Sequence, residues 1–184
     1  MSILTDTEIL NLIQQKKITI EPFNEKHLRA GKYEVHLGQY ILKPQNKGAL
    51  IDPTIEGSKP EYKKFDLKEE AFILKPGMFI LGQTNELIGL DSDTAMFIDG
   101  GSSIARLGLT IHQSASYIPP GQDPHIITLE IYNAGIWDVK LSFGLRIGKL
   151  ITFRFNQKNK TDERSNNPYN GQKEATGSLF AKMI

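Results

Sequence analysis

Residues 71–90, AFILKPGMFILGQTNELIGL, decide the fold class of this chain. The stretch consists of short apolar runs, rich in β-branched and aromatic residues, that are broken by Gly and Pro. It predicts one strand on each side of a turn at Pro76 and Gly77, and a third strand near Leu87. Short strands at regular spacing are typical of an all-β fold.

The same pattern recurs along most of the chain. Apolar or alternating runs bounded by Gly and Pro predict further strands at 18–23, 33–38, 40–44, 126–133, 137–141 and 145–155. This spacing favours a sandwich or a barrel. Residues 46–70 are mostly polar and show no period, so we expect a long loop or an excursion at a sheet edge there, and the sequence assigns this segment no function.

Two short helices interrupt the strand pattern. Thr5 and Glu8 have the spacing of a capping box and begin an apolar helical repeat that ends at the lysines 16 and 17. The second helix is expected over residues 102–109, SSIARLGL, where Ser102 or Ser103 could cap the N-terminus after a Gly-Gly hinge.

The length of 184 residues predicts one domain with a tail. Hydrophobic residues make up 39% and charged residues 23%, which argues against disorder, collagen and coiled coil. We expect a β domain over residues 1–155. Residues 156–184 should form a C-terminal arm, because its polar composition cannot bury enough surface to fold alone.

Composition also excludes several function classes. The net charge of +1 argues against nucleic-acid partners and anionic membranes. No cysteine is present, which removes disulfides, thiol nucleophiles and Cys-bearing zinc sites. No apolar run is long enough to span a membrane, and the first residues lack a signal peptide's positive charge, so we expect a cytoplasmic protein. The histidines lack metal-ligand spacing, and we expect no protein-held metal. They are His27, His36, His112 and His125.

Residues 99–109, DGGSSIARLGL, form a candidate anion site. Glycines and hydroxyls at a helix start offer backbone N–H groups, and Arg106 lies one turn on, where it could add a bidentate charge. A phosphate is therefore a plausible ligand. The alternative is an ordinary surface helix whose arginine pairs with an acidic neighbour.

Glu130 is a candidate acid or base. Within ITLEI, residues 127–131, alternation places it on the strand face of Thr128 and Tyr132, opposite Ile127, Leu129 and Ile131. A cleft on that face would raise the pKa of the carboxyl and suit it to proton transfer. The alternative is a solvent-facing glutamate of a half-buried sheet.

The order of these segments resembles the dCTP deaminase family of the dUTPase-like superfamily. The matching segments, in order, are GSSIARLGL, SASYIPPG (114–121), ITLEIYNAG (127–135), LRIGKL (145–150) and YNGQ, preceded by ILTDTEILNLI, ITIEPF and VHLG. The resemblance covers about residues 2–42 and 76–180, and residues 46–70 do not match clearly.

The resemblance implies a mostly β, distorted jelly-roll or β-sandwich subunit with a short N-terminal helix and a flexible C-terminal arm. It also implies a homotrimer with dCTP or dUTP bound at subunit interfaces, Mg²⁺ carried on the triphosphate, and no zinc. Glu130 corresponds to the glutamate that activates water for attack on C4 of cytosine. Ser102 and Arg106 correspond to the polar pair beside that water. The expected product is dUTP, a precursor in pyrimidine deoxynucleotide supply.

Other nucleotide contacts are likewise implied by the resemblance. Ser103 and the neighbouring N–H groups would bind phosphate, Ala115 would lie near the water, and Thr128 and Leu129 would read the base edge. Tyr169 and Gln172 would close over the site as a lid. The phosphate-binding stretch is Gly101, Ser102, Ser103, Ile104, Ala105 and Arg106.

The chain departs from the family pattern at three positions. Gly101 stands where the family usually has Arg or Lys, Pro119 where it usually has Asp, and Pro168 where a lysine is frequent. The first change removes a phosphate cation. The second removes a carboxylate that helps hold the deoxyribose.

Alternative functions are a dUTPase, a bifunctional deaminase and diphosphatase that forms dUMP, or a nucleotide-binding regulator without catalysis. Pro119 argues against dUTPase chemistry, because diphosphatases of this superfamily use an acidic residue in that motif. The retained Glu130 argues against a pure binder, because burying an unused carboxylate is costly.

Overall fold

The computed structural model describes residues 2–45, 48–157, 160 and 167–183. Short strands dominate these residues, with two α-helices, α1 (Asp6–Gln14) and α2 (Ser102–Ala105), and two 3₁₀ turns at Glu25–His27 and Phe180–Lys182. In chain order the strands are β1 (Ser2–Ile3), β2 (Ile18–Glu21), β3 (Leu28–Arg29), β4 (Lys32–His36), β5 (Tyr40–Pro44), β6 (Tyr62–Asp66), β7 (Phe72–Leu74), β8 (Phe79–Leu90), β9 (Thr94–Gly100), β10 (Leu109–Thr110), β11 (Tyr117–Ile118), β12 (Gln122–Asn133), β13 (Val139–Leu141) and β14 (Arg146–Arg154).

The strands form two larger antiparallel sheets and one small one. The first sheet has the order β11-β9-β14-β4-β3, with β1 also paired to β14. The second has the order β10-β12-β8-β5-β6, with β2 also paired to β8. Strands β7 and β13 pair separately. The mostly β, sandwich-like architecture expected from the sequence is confirmed.

One apolar core lies between the two larger sheets. Val35 and Leu150 from the first sheet and Ile80, Leu129 and Ile131 from the second are all fully buried in the same cluster. Gly82 lies opposite Leu129, and a side chain there would collide with Ile131 Cδ1. The core therefore depends on close packing across the β8–β12 pair.

Helix α1 forms as expected. The Thr5 side chain accepts a hydrogen bond from the Glu8 backbone N–H (3.4 Å), and the Glu8 carboxylate accepts one from the Thr5 backbone N–H (2.8 Å). These contacts complete the capping box. The helix buries Ile9 and Leu12.

The expected division of residues 71–90 is partly wrong. Strand β7 precedes the turn, but everything from Phe79 to Leu90 is one strand, β8, with no break before Leu87. The polar letters of QTNE suggested an interruption. Gln83, Thr84 and Glu86 are instead buried within β8 and have hydrogen-bond partners, which makes burial of polar groups tolerable.

Within residues 48–70 lies one strand, β6, which pairs with β5 at the edge of the second sheet, so the expected edge excursion fits this segment and an uninterrupted loop does not. The YKKFD sequence of β6 alternates weakly. The ammonium groups of Lys63 and Lys64 lie over aromatic rings, with Lys64 Nζ 3.6 Å from the Tyr40 ring centroid and Lys63 Nζ 5.1 Å from that of Phe65. Strand β9 was not anticipated. It lies centrally, between β11 and β14.

The described part of the C-terminal arm, Asn167–Met183, packs on the body of the protein, and Ala175 is buried. The division of the chain at residue 155 remains a prediction, and residues 158–159 and 161–166 of the arm lie outside the described part. Across the described ranges, no helix has the length and apolar character needed to cross a membrane.

We predict that Leu129→Ala lowers the free energy of unfolding by about 2–5 kcal/mol, since it removes a fully buried side chain at the centre of the core. Urea unfolding followed by circular dichroism measures the change.

The matched control is Leu50→Ala. The Leu50 side chain is 94% exposed, so its removal should change the free energy of unfolding by less than about 0.5 kcal/mol. Equal effects of the two substitutions would contradict the assigned core.

Candidate active site

A cavity of about 470 Å³ lies between β12, residues 115–119 and the C-terminal arm. It brings together six of the residues that the sequence singled out. They are Ala115, Pro119, Thr128, Glu130, Tyr169 and Gln172.

Strand alternation on β12 directs Glu130 into this cavity. Leu129 and Ile131 are fully buried in the core, so the intervening Glu130 lies on the opposite face and is half-buried. Glu130 pairs with Leu81 of β8. The expectation of a carboxylate in a cleft fits this arrangement, whereas a glutamate on an open sheet face does not.

The pairing of β8 with β12 has a register shift beside Ile127. Ile126 pairs with Leu87, but Thr128 pairs with Gln83, so extra residues of β8 bulge out between these pairs. The Thr84 hydroxyl fills the gap in the ladder by accepting a hydrogen bond from the Ile127 N–H (3.1 Å). Ile127 lines the cavity with Thr128 and also packs against the apolar core that contains Leu129.

The Glu130 carboxylate has an unusual electrostatic environment. Burial raises its pKa above the ordinary value of 4.5. A hydrogen bond from the Gln113 backbone N–H to Oε2 (3.3 Å) and the nearby charge of His112 oppose that rise in pKa but do not cancel it. The carboxyl therefore holds a proton more readily than an exposed glutamate, which is a property suited to proton transfer.

The C-terminal arm closes one side of the cavity through backbone contacts. Gln172 donates from Nε2 to the Ile126 carbonyl (2.6 Å) and to the Thr128 hydroxyl (3.1 Å), and its own carbonyl accepts from the Ile126 N–H (3.0 Å). Ala175 N–H donates to Gln83 Oε1 (3.0 Å). Tyr169 is fixed by its hydroxyl, which accepts from the Leu179 N–H (2.8 Å).

The segment around α2 lies elsewhere. A separate cavity of about 470 Å³ is lined by Gly101, Ser102, Ser103 and Ile104. Arg106 and Ala105 are exposed and line neither cavity. One chain therefore does not bring Ser102 or Arg106 to Glu130.

Helix α2 also differs locally from the expectation. It is four residues long, its N-cap is Gly101, and no serine side chain caps it. Lys149 holds the preceding turn by donating to Asp99 Oδ2 (2.7 Å) and to the Gly100 carbonyl (2.8 Å), and the first of these bonds keeps the pKa of Asp99 below its usual value. The segment is thus fixed by backbone and lysine contacts.

Three cations border the α2 cavity. They are Lys32, Arg146 and Lys149.

Leu129 faces the core, so only its backbone could contact a ligand. Within the described ranges, no group of three or more His, Asp or Glu side chains gathers to hold a metal ion.

Sequence reasoning missed Gln113 and Gln122 and did not connect His125 to the site. The Gln113 backbone N–H donates to the Glu130 carboxylate because β10 pairs with β12, and no local sequence motif predicts this contact. Gln122 lines the cavity and hydrogen-bonds to the Pro119 carbonyl (3.1 Å). His125 is visible in the sequence as one of four histidines, but their spacing predicts only that they hold no metal.

We predict that Glu130→Gln stabilises the folded chain at pH 7. Since burial raises the folded-state pKa of Glu130, its ionised form destabilises the fold fully above that pKa, and this cost disappears below the unfolded-state pKa. The gain in stability should therefore vanish near about pH 4. Urea midpoints of parent and variant at both pH values test the sign, and a variant less stable at pH 7 would contradict it.

Comparisons with known proteins show which family the chain belongs to. A family model described as dCTP deaminase-like matches residues 3–155. A protein of Pseudarthrobacter chlorophenolicus named "dCTP deaminase, dUMP-forming" is 35% identical over 182 residues, which are 96% of this chain and 94% of that protein. A protein of the same name from Streptomyces avermitilis is 33% identical over 180 residues, which are 96% and 94% of the two chains.

Among solved structures, the 2′-deoxycytidine 5′-triphosphate deaminase from Agrobacterium tumefaciens superposes with a TM-score of 0.65. The two sequences are 18% identical, and the match covers 83% of this chain but only 48% of that one, so it bears on the fold alone. The family model and the full-length relatives carry the assignment: this chain belongs to the dCTP deaminase family.

Proposed function

We propose that this chain hydrolyses dCTP to dUMP, ammonia and pyrophosphate, without zinc and with Glu130 as the general base. The observation that carries the proposal is a half-buried carboxylate of raised pKa in a nucleotide-sized cavity of a family member. The relatives named as dUMP-forming favour this bifunctional alternative over dUTP as the final product.

Glu130 acts first as a base and then as an acid. Its carboxylate takes a proton from water as the water oxygen attacks C4 of cytosine, and it delivers this proton to N3, which keeps it in the uracil product. The carboxylate then takes the proton of the new C4 hydroxyl and gives it to the amino group as the C4–N4 bond breaks and the C4 carbonyl forms. Ammonia leaves and the carboxylate is regenerated. Oε2 accepts the Gln113 N–H, and none of the described hydrogen bonds uses Oε1, which supports Oε1 as the proton acceptor.

A second water cleaves the α–β phosphoanhydride. Mg²⁺ enters as part of the substrate, held by the triphosphate. Glu130 is the one acidic side chain among the described residues that line the cavity, and Pro119 supplies no carboxylate there. The proposal therefore assigns a side chain to the deamination step alone.

The complete site is proposed to form between copies of the chain in a homotrimer. Arg106 and Ser102 lie outside the Glu130 cavity, so a second copy has to supply them to stabilise developing charge. Exposed apolar side chains near α2, among them Leu107 and Ile136, support a subunit contact there. Ser103 and the adjoining backbone would then contact phosphate.

We expect Glu130→Gln to lower ammonia release from dCTP by at least about 10²–10⁴-fold while nucleotide binding is retained. Chromatography of the parent reaction, run with Mg²⁺ after removal of transition metals, should show dUMP. Glu70→Gln is the matched control, because Glu70 is exposed and lies outside the Glu130 cavity.

An active Glu130→Gln variant would refute the proposed base. Accumulation of dUTP would refute dUMP as the product, and recovery that requires zinc would refute the metal-independent deamination.

Mixing two inactive variants tests the shared site. In a trimer co-refolded from equal amounts of Arg106→Ala and Glu130→Gln chains, about a quarter of the interfaces join an intact Arg106 to an intact Glu130. Ammonia release should return to about that fraction of the parent activity. Light scattering that shows a monomer, or mixed trimers with no activity, would contradict a shared site.

A further inference from the structure

His125 is a buried histidine that the proposed mechanism does not use. It lies on β12, only 4% exposed, and its side chain lines the same cavity as Glu130. Pro124 precedes it, and the Pro124 ring packs against Gly89 of β8, which fixes the backbone at this point.

One hydrogen bond determines the tautomer of His125. Nδ1 lies 2.7 Å from the Asp123 carbonyl oxygen, which can only accept, so Nδ1 carries the hydrogen. In the neutral ring Nε2 is then an acceptor. Burial lowers the pKa of His125, which favours that neutral ring.

Nε2 is available to a ligand. None of the hydrogen bonds among the described residues uses it. Among the described residues, His112 Nδ1 is the one side-chain nitrogen or oxygen that is both inaccessible to solvent and without a hydrogen-bond partner. Since His125 Nε2 also has no partner, it must be accessible to solvent.

Three side-chain amide oxygens in the cavity wall each already accept a hydrogen bond from the protein. The amide oxygen of Gln122 accepts from Asn167, that of Asn167 from the Tyr169 N–H, and that of Gln172 from the Thr176 hydroxyl. Pro119 has no side-chain acceptor, and its carbonyl accepts from Gln122. A donor on the ligand therefore finds an unused partner at His125.

A cytosine deoxynucleoside triphosphate presents only its C4 amino group and its 3′-hydroxyl as hydrogen-bond donors at neutral pH. The amino group belongs at Glu130, where it leaves as ammonia. This leaves the 3′-hydroxyl for a second acceptor in the same cavity.

We propose that His125 Nε2 accepts a hydrogen bond from the 3′-hydroxyl of the substrate's deoxyribose, so that the site favours nucleotides that carry this hydroxyl. This inference rests on the proposed function and adds a specificity-determining residue to it.

The test compares dCTP with 2′,3′-dideoxycytidine 5′-triphosphate, which lacks the 3′-hydroxyl. Calorimetry in a Glu130→Gln background measures binding without turnover. His125→Asn is the informative change, because its amide N–H can replace the bond to the Asp123 carbonyl while the acceptor at Nε2 is lost. His125→Gln is the matched variant, because its longer amide can place an oxygen near the former Nε2.

We expect His125→Asn to weaken dCTP binding by about fivefold to tenfold, the value of one neutral hydrogen bond, and to leave dideoxy-CTP binding unchanged. His125→Gln should restore part of the loss. With Glu130 intact, His125→Asn should raise KM for dCTP and leave kcat within about twofold. Circular dichroism checks that both variants are folded.

Equal losses for the two nucleotides, or no loss for either, would overturn the role of His125 even if the parent chain releases ammonia from dCTP. A parent without ammonia release that still shows the nucleotide contrast would overturn the proposed function and support the role of His125. Failure of both nucleotides to bind would overturn both.

Discussion

The antiparallel pairing of β8 with β12 is the constraint on which the site depends. The fully buried Leu129 and Ile131 of β12 anchor it to the core, and alternation then leaves Glu130 no position other than the cavity face. Beside the register shift at Thr84, Ile127 lines the same cavity and also packs against the core. A slip of one residue in this pair would bury the carboxylate in the core and expose Leu129 and Ile131, so the stability of the sheet and the placement of Glu130 cannot be separated.

Local patterns were sufficient for the elements whose stabilising contacts are local. The Thr5–Glu8 capping box and the alternation of ITLEI each lie within a few residues, and both are present as expected. The polar run QTNE misled because its partners come from distant segments: Ala175 binds Gln83, and His36 binds Glu86. The same polar residue type can be buried in a strand or exposed in a loop, and only the tertiary fold distinguishes the two cases.

The candidate site was likewise predictable only in part. Glu130, Thr128 and Gln172 could be named because the family motifs carry them, and the structure gathers them around one cavity. Gln113 and His125 contribute through a cross-strand contact and a single backbone bond, and neither leaves a spacing rule in the sequence. Ser102 and Arg106 fall on a different surface of the chain, which the order of the motifs in the sequence cannot show, because that order does not set distances in the fold.

The C-terminal arm has one more consequence, for the outer edge of β12. Strand β10 pairs only with Tyr132 and Asn133, so the backbone groups further along that edge lack a neighbouring strand. Polar side chains and backbone outside the sheet substitute for one: Asn170 accepts from the Asp123 N–H, and Gln172 both donates to and accepts from Ile126. The arm thus shields an edge that would otherwise be a template for strand addition by another chain, and a chain that loses its arm acquires a tendency to aggregate through this edge.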